Sequence, residues 1–203
     1  MITKEINYAA GKKYTIVGPG EDGAPAYLGT PDDGTILTDG VLADNGKMGQ
    51  LSFVGDDKLH TITIDLGAKR TDIDKLVFAG CRIMGNRQFA NLTIEVSNNG
   101  KTYTTIDSQD FVQMFNMTEE PMYNVVVDFK KDIEARYVRI GCTNTEYVFS
   151  LSEIQVIGYD AEGGTVVNPG ENENPGDAGF VVVALVAIIS LAGAVIVSKR
   201  KFN

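Results

Sequence analysis

The chain has 203 residues, enough for one core of ordinary size plus a smaller appendage and too few for a large multidomain enzyme. Hydrophobic residues make up 43% and charged residues 22%, so a packed core can form and wholesale disorder is excluded. The formal charge is −9; taking Lys199, Arg200 and Lys201 at the C-terminus from the 18 Lys and Arg leaves 15 against 27 Asp and Glu, a surface that repels phosphates and disfavours nucleic acid as a partner.

The chain opens with MITKEINYAAGKKY, which has no apolar signal core. Ile36–Gly40 (ILTDG) closes on an Asp-Gly turn signal. His60, the only histidine, adjoins a stretch where Ile62, Ile64 and Leu66 alternate with Thr61, Thr63 and Asp65, the two-residue period of a half-buried strand. Here a partly exposed, structural histidine is expected. Lys75–Cys81 reads as a second strand, and the polar segment Arg82–Asn91 (RIMGNRQFAN) joins it to a third, in which Leu92, Ile94 and Val96 alternate with Thr93, Glu95 and Ser97. Asn98-Asn99-Gly100 is expected to supply the positive backbone angles of a tight hairpin, after which the chain returns through Tyr103 and Ile106. Further strands fit Tyr123–Phe129, Arg136–Cys142 and Leu151–Tyr159, separated by Gly, Asn, Asp and Pro clusters.

The last part of the chain changes character. Residues 161–177, including EGGTVVNPGENENPGD, have no apolar periodicity and read as a disordered acidic linker. Residues 178–198 carry no charge, and Ala178–Val197 in helical form spans roughly 30 Å, one hydrocarbon core. Twelve Val, Ile, Leu and Phe in that run favour insertion by at most about 4–7 kcal/mol. Residues 199–203 form a basic tail, while Glu171, Glu173 and Asp177 precede the span, so the expected topology is a single pass with the C-terminus cytoplasmic and the head extracellular. Export of the head without a leader points to the C-terminal part of a longer surface protein. A misassigned start and a tail-anchored cytosolic head are the alternatives.

Seven or eight strands without alternating helices make an all-β, antiparallel two-sheet sandwich the economical fold for residues 4–160. Enzymatic motifs are missing: no Gly-x-Ser-x-Gly elbow, no HExxH helix and no phosphate-cradling glycine loop, so no catalysis is expected. Cys81 and Cys142, each at a strand end, either pair and add about 3–4 kcal/mol through loop closure or remain buried thiols. The chemistry best suited to a ligand lies in the 82–91 segment. Arg87 offers a planar fork of donors for vicinal hydroxyls, Asn86 and Gln88 add donors and acceptors, and Phe89 can pack on the apolar face of a sugar. Arg82 and Tyr147 are weaker candidates, and the plainer reading is a solvated loop with Phe89 tucked into the core.

Four segments in order, ILTDG (Ile36–Gly40), ITIDLG (Ile62–Gly67), NLTIEVSNNGKTYTTI (Asn91–Ile106), and ARYVRI with LSEIQVIG (Ala135–Ile140, Leu151–Gly158), resemble the discoidin-like domains of the coagulation factor V/VIII type C family, which includes the family 32 carbohydrate-binding modules. The resemblance implies a galactose-binding-like jelly-roll sandwich that binds glycans, lipids or proteins through loops at one end. It lends Asn86 and Arg87 support as sugar contacts, since sugar-binding members often carry an Asn-Gly-Arg-like stretch there. It also implies a structural Ca²⁺ held by Asp39 and Glu153, with Asp44 and Asn45 completing the site. The chain departs from the family in lacking Trp altogether, Tyr103 standing where many members place one. Asn174–Lys201 is similar to the sorting signals of Gram-positive surface proteins but lacks the threonine before Gly176 at which they are cut, so a retained membrane anchor is expected. Together these readings give a membrane-anchored module that recognises carbohydrate or a surface glycoconjugate. A non-catalytic spacer or protein-adhesion domain, and the anchoring end of an exported glycoside-processing enzyme, are the alternatives.

Overall fold

The structure is a computed structural model, and it describes residues 4–23, 32–41, 51–54, 57–81, 91–117, 122–143 and 148–160. Within them lie ten strands: β1 (Lys4–Asn7), β2 (Tyr14–Val17), β3 (Leu51–Val54), β4 (His60–Cys81), β5 (Asn91–Ser97), β6 (Thr104–Thr105), β7 (Phe111–Met117), β8 (Met122–Thr143), β9 (Val148–Leu151) and β10 (Glu153–Asp160). The domain is all-β and antiparallel, as the alternation indicates. The linker, the apolar stretch and the basic tail lie outside the described residues.

β4 and β8 each run for 22 residues and pair with one another. Sequence alternation resolves each as two strands, Ile62–Leu66 with Lys75–Cys81 and Tyr123–Phe129 with Arg136–Cys142, because the stretches between them break the apolar period. The structure keeps each pair of pieces in one strand across that break, where the register slips between Asp65 and Lys75. On one side of the slip β4 is flanked by β2 and β8 by β5, with β6 outermost; on the other side β4 is flanked by β10 and then β1, and β8 by β7. The ladder is thus folded into two leaves. Ile62, Ile64, Ile94, Val138 and Ile140 from the first leaf share one core with Leu76, Phe78, Val125, Val127, Ile154 and Val156 from the second, which is what makes the fold a sandwich. β3 and β9 form a separate two-stranded sheet whose Phe53 and Phe149 join the same core.

Two local details differ from the sequence reading. Of Asn98, Asn99 and Gly100, only Gly100 has a positive φ, +69°, and the strands resume pairing only at Val96 opposite Thr104. The connection is therefore a broad turn, held by side chains: Ser97 Oγ accepts from the N–H groups of Asn99 and Gly100, and Asn99 Oδ1 from those of Lys101 and Thr102. β1, β2, β3, β7 and β9 are strands that the alternation did not mark, and Leu151, read as the start of the last strand, closes β9 instead. The first three are four residues long, and β7 (FVQMFNM) has no buried side chain to set a period.

Packing is tight where β4 meets β9. The Tyr123 hydroxyl donates to the Ser150 carbonyl, and a Cβ at Gly80 would collide with both oxygens. Gly80→Ala is expected to cost about 1–3 kcal/mol by overpacking, read from urea unfolding; an unchanged midpoint would show that Tyr123 and the β9 backbone at Ser150 both give way freely.

The corner of the folded ladder marks one end of the sandwich. At the other end lie Cys81 opposite Met122, Asn91 opposite Thr143, and Met117 opposite Tyr123. β10 runs between these ends, from Glu153 opposite Ala79 towards the corner, where Gly158 lies opposite Ile73 and Asp160 opposite Lys4. The chain therefore enters and leaves the domain at the corner end.

Candidate functional site

The connections between strands β4 and β5, β7 and β8, and β8 and β9 all depart from the end of the sandwich opposite the corner. Two of them carry the sugar-site candidates. Arg82, Asn86, Arg87, Gln88, Phe89 and Tyr147 lie outside the described residues. What the structure supplies is the frame: Asn91, which follows the first segment, sits opposite Thr143, which precedes the second, and Asn91 Nδ2 donates to Thr143 Oγ1 at 3.0 Å. The two candidate segments thus spring from neighbouring positions on adjacent strands.

The same end carries Glu153, the first residue of β10, which is 1% exposed. A buried carboxylate needs donors or a cation. Gly40 N–H donates to Glu153 Oε2 at 3.2 Å, across 113 positions of sequence, whereas Glu153 Oε1 is buried with no hydrogen-bond partner. Burial, aided by the nearby charge of Asp39 and opposed by the pull of the Gly40 N–H and the Asn7 side chain, pushes the Glu153 carboxyl up to about 7. Asp39 is exposed and closes its own turn, its Oδ1 accepting from Val41 N–H at 2.7 Å. Asp44 and Asn45 lie outside the described residues, and among those described no three His, Cys, Asp or Glu side chains group as metal ligands. A hard cation is compatible with the donors present: it would take the orphaned Glu153 oxygen and relieve the repulsion from Asp39.

Asn7 is a participant that sequence reasoning passed over. Its Oδ1 accepts from Ala9 N–H and Val156 N–H, both at 3.1 Å, which ties β1 to β10 beside Glu153. Nothing in KEIN distinguishes it from a solvated asparagine.

His60 is fully buried, not partly exposed as its position in the sequence suggests, because β3 and β9 close over it. Its ring lies 5.0 Å from Phe53 and 5.7 Å from Phe149. That is a packing role. Cys142 is a free buried thiol whose Sγ donates to the His60 carbonyl at 3.7 Å, and burial pushes it up to about 12, far from a reactive thiolate. Tyr103 is engaged elsewhere: the Arg139 guanidinium sits 3.7 Å from its ring centroid and is paired to Glu95 at 2.7 Å.

These features define an antiparallel β-sandwich, with long-range strand pairing fixing one end from which the connections at 82–90, 118–121 and 144–147 emerge. The model of the F5/8 type C domain matches residues 38–154, and the chain belongs to that family. Among solved structures the chain is similar to the module CpGH89CBM32-5 of Clostridium perfringens, solved with GalNAc-β-1,3-galactose, at 15% identity and a TM-score of 0.53, covering 76% of this chain and 99% of that one. It is similar to chitosan-binding module 1 of a chitosanase/glucanase from Paenibacillus sp. IK-5 at 19% identity and a TM-score of 0.48, covering 75% and 98%. The lectin-binding domain of lectinolysin, in a His 62 mutant complexed with Lewis b, is 21% identical with a TM-score of 0.49, covering 77% and 99%. Comparison with curated protein sequences gave no match.

Proposed function

We propose that this chain is a non-catalytic carbohydrate-binding module, held on the outside of a bacterial membrane by its C-terminal apolar stretch as the C-terminal part of a longer surface protein. One observation carries the reading. The end of the sandwich that bears the 82–90 and 144–147 segments is opposite the end where β10 delivers the chain to its linker at Asp160. The candidate sugar segments are therefore attached at the end away from Asp160, the last described residue. Family membership and the sugar-bound neighbour support the ligand class.

Arg82, Asn86, Arg87, Gln88, Phe89 and Tyr147 form the sugar contacts in this reading, and Ca²⁺ is the structural cofactor, held by Glu153 and Asp39 with Asp44 and Asn45. The ion's contribution is charge neutralisation at a buried carboxylate, tying the Asp39 turn to the start of β10. Without Trp in the chain, each site is weak, about micromolar to millimolar, and avidity from many copies on one cell makes it useful.

The test is a glycan array probed with the full chain in a detergent that has no sugar headgroup. Binding of galactose- or N-acetylgalactosamine-terminated glycans, reduced at least tenfold by Arg87→Ala, is expected; a folded chain that captures no glycan at millimolar density removes the reading.

A second reading, a protein-adhesion unit, is favoured by β7. This edge strand has no charged side chain and exposes Val112, Met114, Phe115 and Met117, each 38–50% accessible. Ligand binding that survives Arg87→Ala unchanged and falls with Met114→Lys would favour it.

A further inference from the structure

β6 covers the edge of β5 only opposite Glu95 and Val96. Ile106 N–H still donates to the Ile94 carbonyl, at 2.8 Å, but at Asp107 the chain leaves this edge, makes the turn Ser108–Asp110, and enters β7 in the other leaf at Phe111. The crossing leaves an open cleft of about 400 Å³ between the uncovered edge of β5 and the crossover. It lies on the flank of the sandwich and is lined by none of the sugar-site candidates of the loop end.

Its chemistry is mixed in a specific way. Leu92, Ile106 and Phe111 contribute half-buried apolar surface, with the Phe111 ring held at 87° to that of Phe129. Thr93 and Ser108 contribute hydroxyls and Asp107 a carboxylate. Gln109 Nε2 donates to Asp107 Oδ2 at 3.2 Å, which leaves Oδ1 as an acceptor. Strand residues two apart direct their backbone groups the same way, so the N–H and C=O of Leu92 face the same edge as the bonded carbonyl of Ile94, towards the cleft. No Lys or Arg lines it, and the carboxylate stands there, so an anion is excluded. A purely aliphatic ligand would strip water from the carboxylate and hydroxyls without replacing it. A ligand with one apolar face and a rim of hydroxyl donors satisfies both halves, and the volume suits one ring with its substituents.

We propose that this cleft is a second binding site that takes a single neutral sugar ring, its C–H face on Phe111 and a hydroxyl donating to Asp107. The chain would then be bivalent, with sites on two different faces of one sandwich, and able to bridge two glycan branches.

The experiment is a titration of the full chain, methyl-labelled at Ile, Leu and Val, with galactose, N-acetylgalactosamine and glucose. Saturable shifts of the Leu92, Ile94 and Ile106 methyls are expected with Kd of about 1–10 mM, unchanged by Arg87→Ala and weakened about tenfold by Phe111→Leu. Asp107→Asn, on an exposed side chain, is expected to weaken them severalfold without touching the core. If these methyls stay fixed with all three sugars, or if their shifts persist undiminished in both variants, the cleft is not a sugar site. Shifts confined to the loop end and abolished by Arg87→Ala overturn the cleft site and leave the proposed function standing. Shifts confined to the cleft do the reverse.

Discussion

Phe149→Ala is expected to destabilise the domain by about 3–5 kcal/mol, a large fraction of the roughly 5–15 kcal/mol that holds a domain of this size. Phe149 is fully buried, stacks on Phe53 at 4.9 Å and 19°, and meets the edge of the His60 ring. Phe53 and Phe149 are also direct cross-strand partners in the β3–β9 sheet, so one truncation removes a core ring and the side-chain pair that pins that sheet's register. Two strands of four residues are marginal on their own, and the ring stack is what secures them to the core. Phe149→Leu refills most of the volume and is expected to cost about 1–1.5 kcal/mol, the usual range for swaps that nearly conserve volume. The measurement is urea unfolding of both variants. A loss below about 1 kcal/mol for the alanine variant would mean that the cover sheet contributes little to the core. In the proposed reading the consequence reaches the sugar contacts, because β9 follows the 144–147 segment and leads to Glu153. A loosened β9 is expected to weaken glycan capture before the domain unfolds.

The sequence made the sandwich legible where burial is one-sided. Ile62, Ile64 and Leu66, or Leu92, Ile94 and Val96, point every second side chain at one core, so their period reveals both the strand and its face. It failed where that asymmetry is absent. β7 exposes residues on both faces and leaves no alternation to read, and the corner between Asp65 and Lys75 interrupts the period within what is a continuous ladder partner. Sequence distance hid the rest. By residue pattern alone Glu153 looks like any surface carboxylate, and only the family resemblance pairs it with Asp39; the structure adds that Gly40, 113 positions away, donates to it, and that His60, half-exposed by its pattern, is closed over by β3 and β9. The cleft is assembled from β5, the end of β6 and the crossover to β7, none of which signals a site alone. The Arg87 segment was marked by its residue types, and the structure adds that its flanking strands converge with those of Tyr147.

Stripped of divalent cations, the domain is expected to be more stable at pH 5 than at pH 8, and Glu153 sets the sign. An ordinary glutamate releases its proton near 4.5, and Glu153 in the fold does so at about 7. Between those values the folded chain keeps a proton that the unfolded chain has lost, so the favourable contribution is complete below pH 4.5 and is lost as the pH rises through 7. The size is about 2–3 kcal/mol at pH 8. Glu153→Gln keeps an acceptor for Gly40 N–H and carries no charge to desolvate, so it is expected to flatten this dependence and to raise metal-free stability at pH 8 by about 2 kcal/mol. Calcium reverses the ranking if Glu153 and Asp39 hold it: at pH 8 a millimolar excess over Kd raises the wild-type midpoint, with up to about 4 kcal/mol available at a thousandfold excess, and leaves Glu153→Gln nearly unmoved. Thermal melts of both proteins at pH 5 and pH 8, with EDTA and with Ca²⁺, separate the claims. A flat pH profile for the wild type in EDTA would show that the Glu153 carboxylate is satisfied by another donor. A slope in EDTA that Ca²⁺ does not abolish would leave the buried carboxylate as a fold constraint without an ion.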